Sequence, residues 1–188
     1  MIFVLLVLSF SLRSVSSQVP LAGTCPKVEG QEDFDLDKYY GTWYEITKFY
    51  TSFENGQKCN TVTYSPKLNG HIEIFNEGFD KEYHEINTTD DAYIPDKTEK
   101  STIKVQFSQG APYSDYWILD TDYATYSLIF SCINISDVSH LEYSWILARK
   151  PLLDHSVRKR LYQKLESFKV DTKHFIDDDQ SSCYWSIN

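Results

Sequence analysis

Gly41-Thr42-Trp43-Tyr44-Glu45-Ile46 is the stretch on which the reading of this chain turns. It follows Phe34-Asp35-Leu36-Asp37-Lys38-Tyr39-Tyr40 and opens a run, Trp43 to Tyr50, in which bulky and polar residues alternate like a strand with one buried face. The glycine permits a turn ahead of that strand, and a tryptophan just inside it can plug the closed end of a barrel. Taken alone the pattern fits any buried strand. The segments that follow supply the context.

Beyond Trp43 to Tyr50, strand character recurs at Asn60 to Tyr64, His71 to Asn76, Lys81 to Ile86, Thr102 to Phe107, Tyr113 to Leu119, Thr125 to Ile133 and Leu141 to Arg149. Turn signals divide them, among them Asn55-Gly56, Ser65-Pro66, Asn69-Gly70, Glu77-Gly78, Gly110-Ala111-Pro112 and Asp120-Thr121-Asp122. Eight short strands in close succession predict an all-β fold: an antiparallel up-and-down barrel whose interior can hold one small ligand. After the last strand, Pro151 breaks the pattern and Asp154 suits a helix N-cap. Val157, Leu161, Leu165 and Phe168 then fall at helical spacing, predicting one amphipathic helix of about four turns packed on the outside. Its basic residues, Arg158, Lys159, Arg160 and Lys164, read as a solvated face. The segment from Gln18 to Tyr40, with Pro20, Gly23 and Pro26, reads as irregular.

The first residues, Met1 to Leu12, form an apolar run of signal-peptide length, and Val15-Ser16-Ser17 offers a cleavage point. Residues 1–17 are therefore expected to be a signal peptide and 18–188 a single domain, released into extracellular fluid without stable membrane insertion. The segment removed holds one basic and no acidic residue, so cleavage takes the formal charge from −9 to −10. So acidic a surface excludes nucleic acid as a partner class. The four cysteines, Cys25, Cys59, Cys132 and Cys183, are nowhere spaced as CxxC and read as two disulfides, for which the sequence alone permits three pairings. Asn87-Thr88-Thr89 and Asn134-Ile135-Ser136 are glycosylation sequons, usable if they fall in exposed loops.

Two further stretches, Tyr116-Trp117-Ile118-Leu119-Asp120-Thr121-Asp122-Tyr123 and Ser144-Trp145-Ile146-Leu147-Ala148-Arg149, complete a pattern with Gly41-Thr42-Trp43. In order and spacing the three resemble the signature regions of the lipocalins: Gly-x-Trp, Thr-Asp-Tyr and a late arginine. Within that family the likeness is to the apolipoprotein D branch with its invertebrate, bilin-binding members, and it extends over nearly all of residues 18–188. The resemblance implies that Gly41, Trp43, Thr121, Asp122, Tyr123 and Arg149 close the barrel, with the guanidinium across the indole. It implies disulfides joining Cys25 to Cys132 and Cys59 to Cys183. It also implies a cavity lined by Tyr39, Val62, Tyr64, Ile72, Ile74, Asn76, Val105, Phe107, Tyr143 and Trp145, an aromatic and aliphatic cup with a few hydroxyl and amide groups. The ligand so implied is a mainly apolar molecule with one polar end: a fatty acid, steroid or other lipid, or a bilin pigment bound as a chromophore.

The residues carry no nucleophile elbow, no phosphate-cradling loop and no HExxH. His71, His84, His140, His155 and His174 are scattered, and Tyr83-His84-Glu85 and His71-Ile72-Glu73 are weak metal motifs, so neither an enzyme nor a metal or other cofactor is expected. Methionine-based reduction of lipid hydroperoxides is excluded for a chain whose one methionine is Met1, inside the segment expected to be removed. A different class, an extracellular interaction protein whose loops meet a cell-surface receptor and whose role is to sequester lipid, competes with the carrier.

Overall fold

The computed structural model describes residues 20–181, 183 and 184, so the expected signal peptide lies outside the described residues. Eight antiparallel strands form the wall: β2 (Gly41–Phe49), β3 (Lys58–Pro66), β4 (Ile72–Phe79), β5 (Glu85–Tyr93), β6 (Thr102–Gln106), β7 (Ser114–Thr121), β8 (Tyr126–Ser136) and β9 (Ser139–Ala148). Each pairs with the next, and β9 returns to β2 through Tyr44↔Ala148, Glu45↔Leu147, Thr47↔Ile146 and Lys48↔Trp145, which closes the barrel. Closure leaves no open edge along this seam. Two short strands extend it at the margins: β1 (Leu21–Ala22) on β9, and β10 (Phe175–Asp177) on β2.

Alternation along the strands separates two apolar cores. The inner one gathers Trp43, Tyr64, Ile74, Val105, Ile129 and Trp145 inside the barrel. The outer one gathers Phe49, Leu119, Leu128, Phe130 and Ile146 beneath helix α2 (His155–Ser167), whose Leu161 and Leu165 are completely buried there. Asp154 caps α2 by accepting from the Ser156 amide at 2.7 Å. Within the segment expected to be irregular lie β1 and one helical turn, α1 (Leu36–Tyr39), capped by Asp35 accepting from the amides of Asp37 and Lys38.

One strand lies elsewhere than alternation suggests. The fourth strand of the barrel was expected at Lys81 to Ile86 and is β5, Glu85–Tyr93. Asp80 turns the chain instead: its Oδ1 accepts from the amides of Glu82 (2.8 Å) and His84 (2.9 Å), and Tyr83 adopts φ +64°. The strand itself, Glu-Ile-Asn-Thr-Thr-Asp-Asp-Ala-Tyr, is polar enough to read as a loop. A second consequence concerns the sequons. Asn87 and Asn134 were sought in loops; both are exposed, but each sits within a strand, β5 and β8.

Candidate functional site

The closed end is built first by backbone geometry. Gly41 has φ +97°, a conformation that favours glycine and turns the chain, and the Arg149 guanidinium packs close by, its Nη1 3.4 Å from where a Cβ would stand. The Arg149 guanidinium carbon lies 3.6 Å from the Trp43 ring centre. Its nitrogens donate to the carbonyls of Tyr123 (3.0 Å), Thr42 (2.9 Å), Tyr39 (3.0 Å) and Tyr40 (2.9 Å), while Trp43 Nε1 donates to Tyr39 O at 3.0 Å. The neighbouring turn is held from inside: Asp122 Oδ1 accepts from the amides of Ala124, Thr125 and Tyr126, and Thr121 Oγ1 donates to Tyr126 O. Burial pushes the Asp122 carboxyl up, but these amides outweigh it and leave the group below its ordinary range. Tyr123 takes φ +64° and accepts from the Asp35 amide at 2.9 Å. Disulfides Cys25–Cys132 and Cys59–Cys183 tie the two end segments to the wall.

Above this floor is a cavity of about 120 Å³, opening toward the β2–β3 and β4–β5 loops. Val62 and Tyr64 of β3, Ile74 and Asn76 of β4, and Val105, Phe107 and Trp145, all named from the sequence, line it. The other three expected lining residues do not reach it. Tyr39 packs beside Trp43 in the inner core at the closed end, its hydroxyl 2.8 Å from Ser127 Oγ and its ring edge-on to Tyr64. Ile72 is buried at the closed end, and Tyr143 stacks on Trp145 nearer the mouth. Two larger depressions, of about 760 and 470 Å³, border the N-terminal segment and the 94–101 loop; they lie outside the barrel and much of their volume is open solvent.

The lining also holds groups that were not expected. Tyr116 joins Tyr64 through a 2.6 Å contact between hydroxyls, and burial pushes both phenols well above their ordinary range, keeping them neutral. Glu45, Glu54 and Asp90 bring three carboxylates. Glu45 shares the parity of Trp43, a signal legible in the sequence. Lys48 does not, but a bulge between Glu45 and Thr47 flips the alternation, and Lys48 comes to face inward beside Trp145. Its Nζ lies 2.6 Å from Glu45 Oε1, out of line for a hydrogen bond, and 3.0 Å from Glu54 Oε2; Asp178 Oδ1 is 3.8 Å away. Asp178 is further held by Asn60 Nδ2 at 2.6 Å and Gln180 Nε2 at 2.8 Å. Burial and the neighbouring Glu54 raise the Glu45 carboxyl well above its ordinary range, against the pull of Lys48. Burial opposes the charge on Lys48, but its three carboxylate neighbours outweigh it and keep the ammonium charged.

Asp90 stands apart from that network. Its partner across the ladder is Ile74, so its side chain shares the inward face, and the residue is 7% exposed. Asn76 Nδ2 donates to Oδ2 at 3.0 Å. Among the described residues no cation pairs with it. Burial pushes its carboxyl up to about 6, against the Asn76 hydrogen bond and with the Glu54 charge adding to the rise.

Among the described residues no cluster of three or more histidine, cysteine or acidic side chains is placed to hold a metal, and no helix is long and apolar enough to cross a membrane. The Lipocalin-like domain model matches residues 34–180. The chain is similar to apolipoprotein D of Cavia porcellus, 34% identical over 97% of this chain and 96% of that one. It is also similar to the Lazarillo protein of Schistocerca americana, 30% identical over 92% of this chain and 82% of that one. Among solved structures, insecticyanin from the tobacco hornworm Manduca sexta superposes with a TM-score of 0.75 at 26% identity, covering 88% of this chain and 91% of that one.

Proposed function

The chain belongs to the lipocalin family, and from that premise we propose that it is a secreted carrier which takes a small, mainly apolar molecule into the barrel and performs no covalent chemistry on it. The observation that carries this reading is a hollow walled by Trp145, Phe107, Val105, Ile74 and Leu147 above a sealed floor. Burying some ten methylenes at about 0.8 kcal/mol each gives roughly 8 kcal/mol before association costs. Micromolar affinity needs about 8 kcal/mol net, so after association costs binding falls short of micromolar, compatible with loading and unloading. The hollow of about 120 Å³ favours a slender guest, such as an alkyl chain whose far end emerges at the mouth. A steroid or a bilin needs more room and would have to displace Phe53 and Phe107. The exported site of action rests on the apolar run at residues 2–12.

Titration with a fatty alcohol, a steroid and biliverdin, read by quenching of Trp145 in the native protein and by calorimetry in both the native protein and the Trp145 variant, tests the carrier. The alcohol is expected to quench, and Trp145→Ala to weaken its binding about tenfold, on the order of 1.4 kcal/mol. If nothing quenches and the substitution changes no affinity, the barrel is a scaffold for loop contacts and the carrier reading fails.

A further inference from the structure

This inference rests on the carrier reading and names the chemistry of the guest's polar end. The cavity is unlike an apolar cup in one respect. Its wall carries Glu45, Glu54 and Asp90, and the cation that lies among them, Lys48, is already divided between Glu45, Glu54 and Asp178. Among the described residues no Lys, Arg or His lines the cavity wall to meet an anionic head group there. Asp90 in particular is nine-tenths buried, its Oδ1 accepts no hydrogen bond from any described residue, and no cation pairs with it. A carboxylate removed from water without a counter-charge is costly, and the cost falls when a cation arrives from outside.

The surroundings of Asp90 make it a receptor for such a cation. Asn76, on the neighbouring strand, fixes Oδ2 and leaves Oδ1 toward the cavity. The hydroxyls of Tyr64 and Tyr116 lie in the same lining as further hydrogen-bond acceptors. The apolar rings of Trp145 and Phe107 share the lining, Phe107 just past the end of the strand that pairs with that of Asp90, and the indole face itself favours a cation over an anion. We propose that the guest is a cationic amphiphile, a protonated amine on a slender apolar body, with its ammonium bound by Asp90 and its body against Trp145, Phe107 and Val105. A fatty-acid carboxylate would meet the uncompensated Asp90 carboxylate in the same space and is selected against.

Calorimetric titration of the mature, disulfide-bonded protein with three probes of one chain length, octylammonium, octanol and octanoate, at pH 7.4 and physiological salt, tests this. Octylammonium is expected to bind at least tenfold more tightly than octanol, and octanoate most weakly. Asp90→Asn is expected to reduce the octylammonium-to-octanol ratio below threefold, and Asp90→Glu, which keeps the charge, to preserve a preference. If Asp90→Asn does not fold, the wild-type ratio decides alone. Octanoate binding as tightly as octylammonium, or an ammonium preference untouched by Asp90→Asn, overturns the proposal while leaving the carrier intact. Failure of all three probes to bind overturns the carrier reading, and this proposal with it.

Discussion

Arg149 is the residue at which the closed end comes together, because one planar group serves five carbonyls, that of Lys38 included, and an indole at once. Arg149→Ala leaves those half-buried carbonyls without their donor and is expected to destabilise the fold by about 3 kcal/mol. Urea unfolding measures it, and Arg149→Lys, which keeps charge but not the fork, is expected to recover less than half. Asp90 makes a prediction of the opposite sign. Its native carboxyl titrates at about 6, against an ordinary 3.8, so between those values the folded protein keeps a proton that the unfolded chain has lost. Stability therefore falls as pH rises through that window. With the polar groups around Asp90 allowed for, the cost above pH 6 is on the order of 1 kcal/mol. Asp90→Asn should raise the urea midpoint at pH 7 and leave it nearly unchanged at pH 4. An equal change at both would remove ionisation of Asp90 as the cause.

Elements show where pattern suffices and where it does not. β9 and α2 were legible because their apolar positions are dense and regular: Trp145 and Leu147 turn inward, while Ile146 and Ala148 meet Leu161 and Leu165 outside. Leu161→Ala empties a fully buried site beneath the helix and is expected to cost about 2 to 4 kcal/mol in unfolding free energy, without shifting guest affinity, since the outer core is separate from the cavity. A loss of affinity matching the loss of stability would show that the two cores are coupled. β5 was misplaced for the reciprocal reason. Its residues are mostly polar, and what makes them a strand is register with β4 and β6 rather than any apolar rhythm. That displacement hid Asp90. Lys48 was hidden differently, by a bulge that reverses which side chains face inward and that leaves no mark in composition.

For the whole molecule, the sequence showed the closure of eight strands, the outer helix and the plugged floor, because each depends on residues whose type is its own signal: a glycine at positive φ, a tryptophan, an arginine. It did not show the character of the hollow, which is set by which polar side chains a closed sheet happens to turn inward. An aromatic cup with amides was expected, and the lining has three carboxylates besides. The separation of the inner core from the outer one gives the central claim a direct reading. In methyl NMR spectra of the mature protein titrated with octanol, the methyls of Val62, Ile74, Val105 and Leu147 are predicted to shift together and saturably, while those of Leu128, Ile146, Leu161 and Leu165 stay fixed. Shifts confined to the outer set, or no saturable shift in either, would contradict a guest inside the barrel.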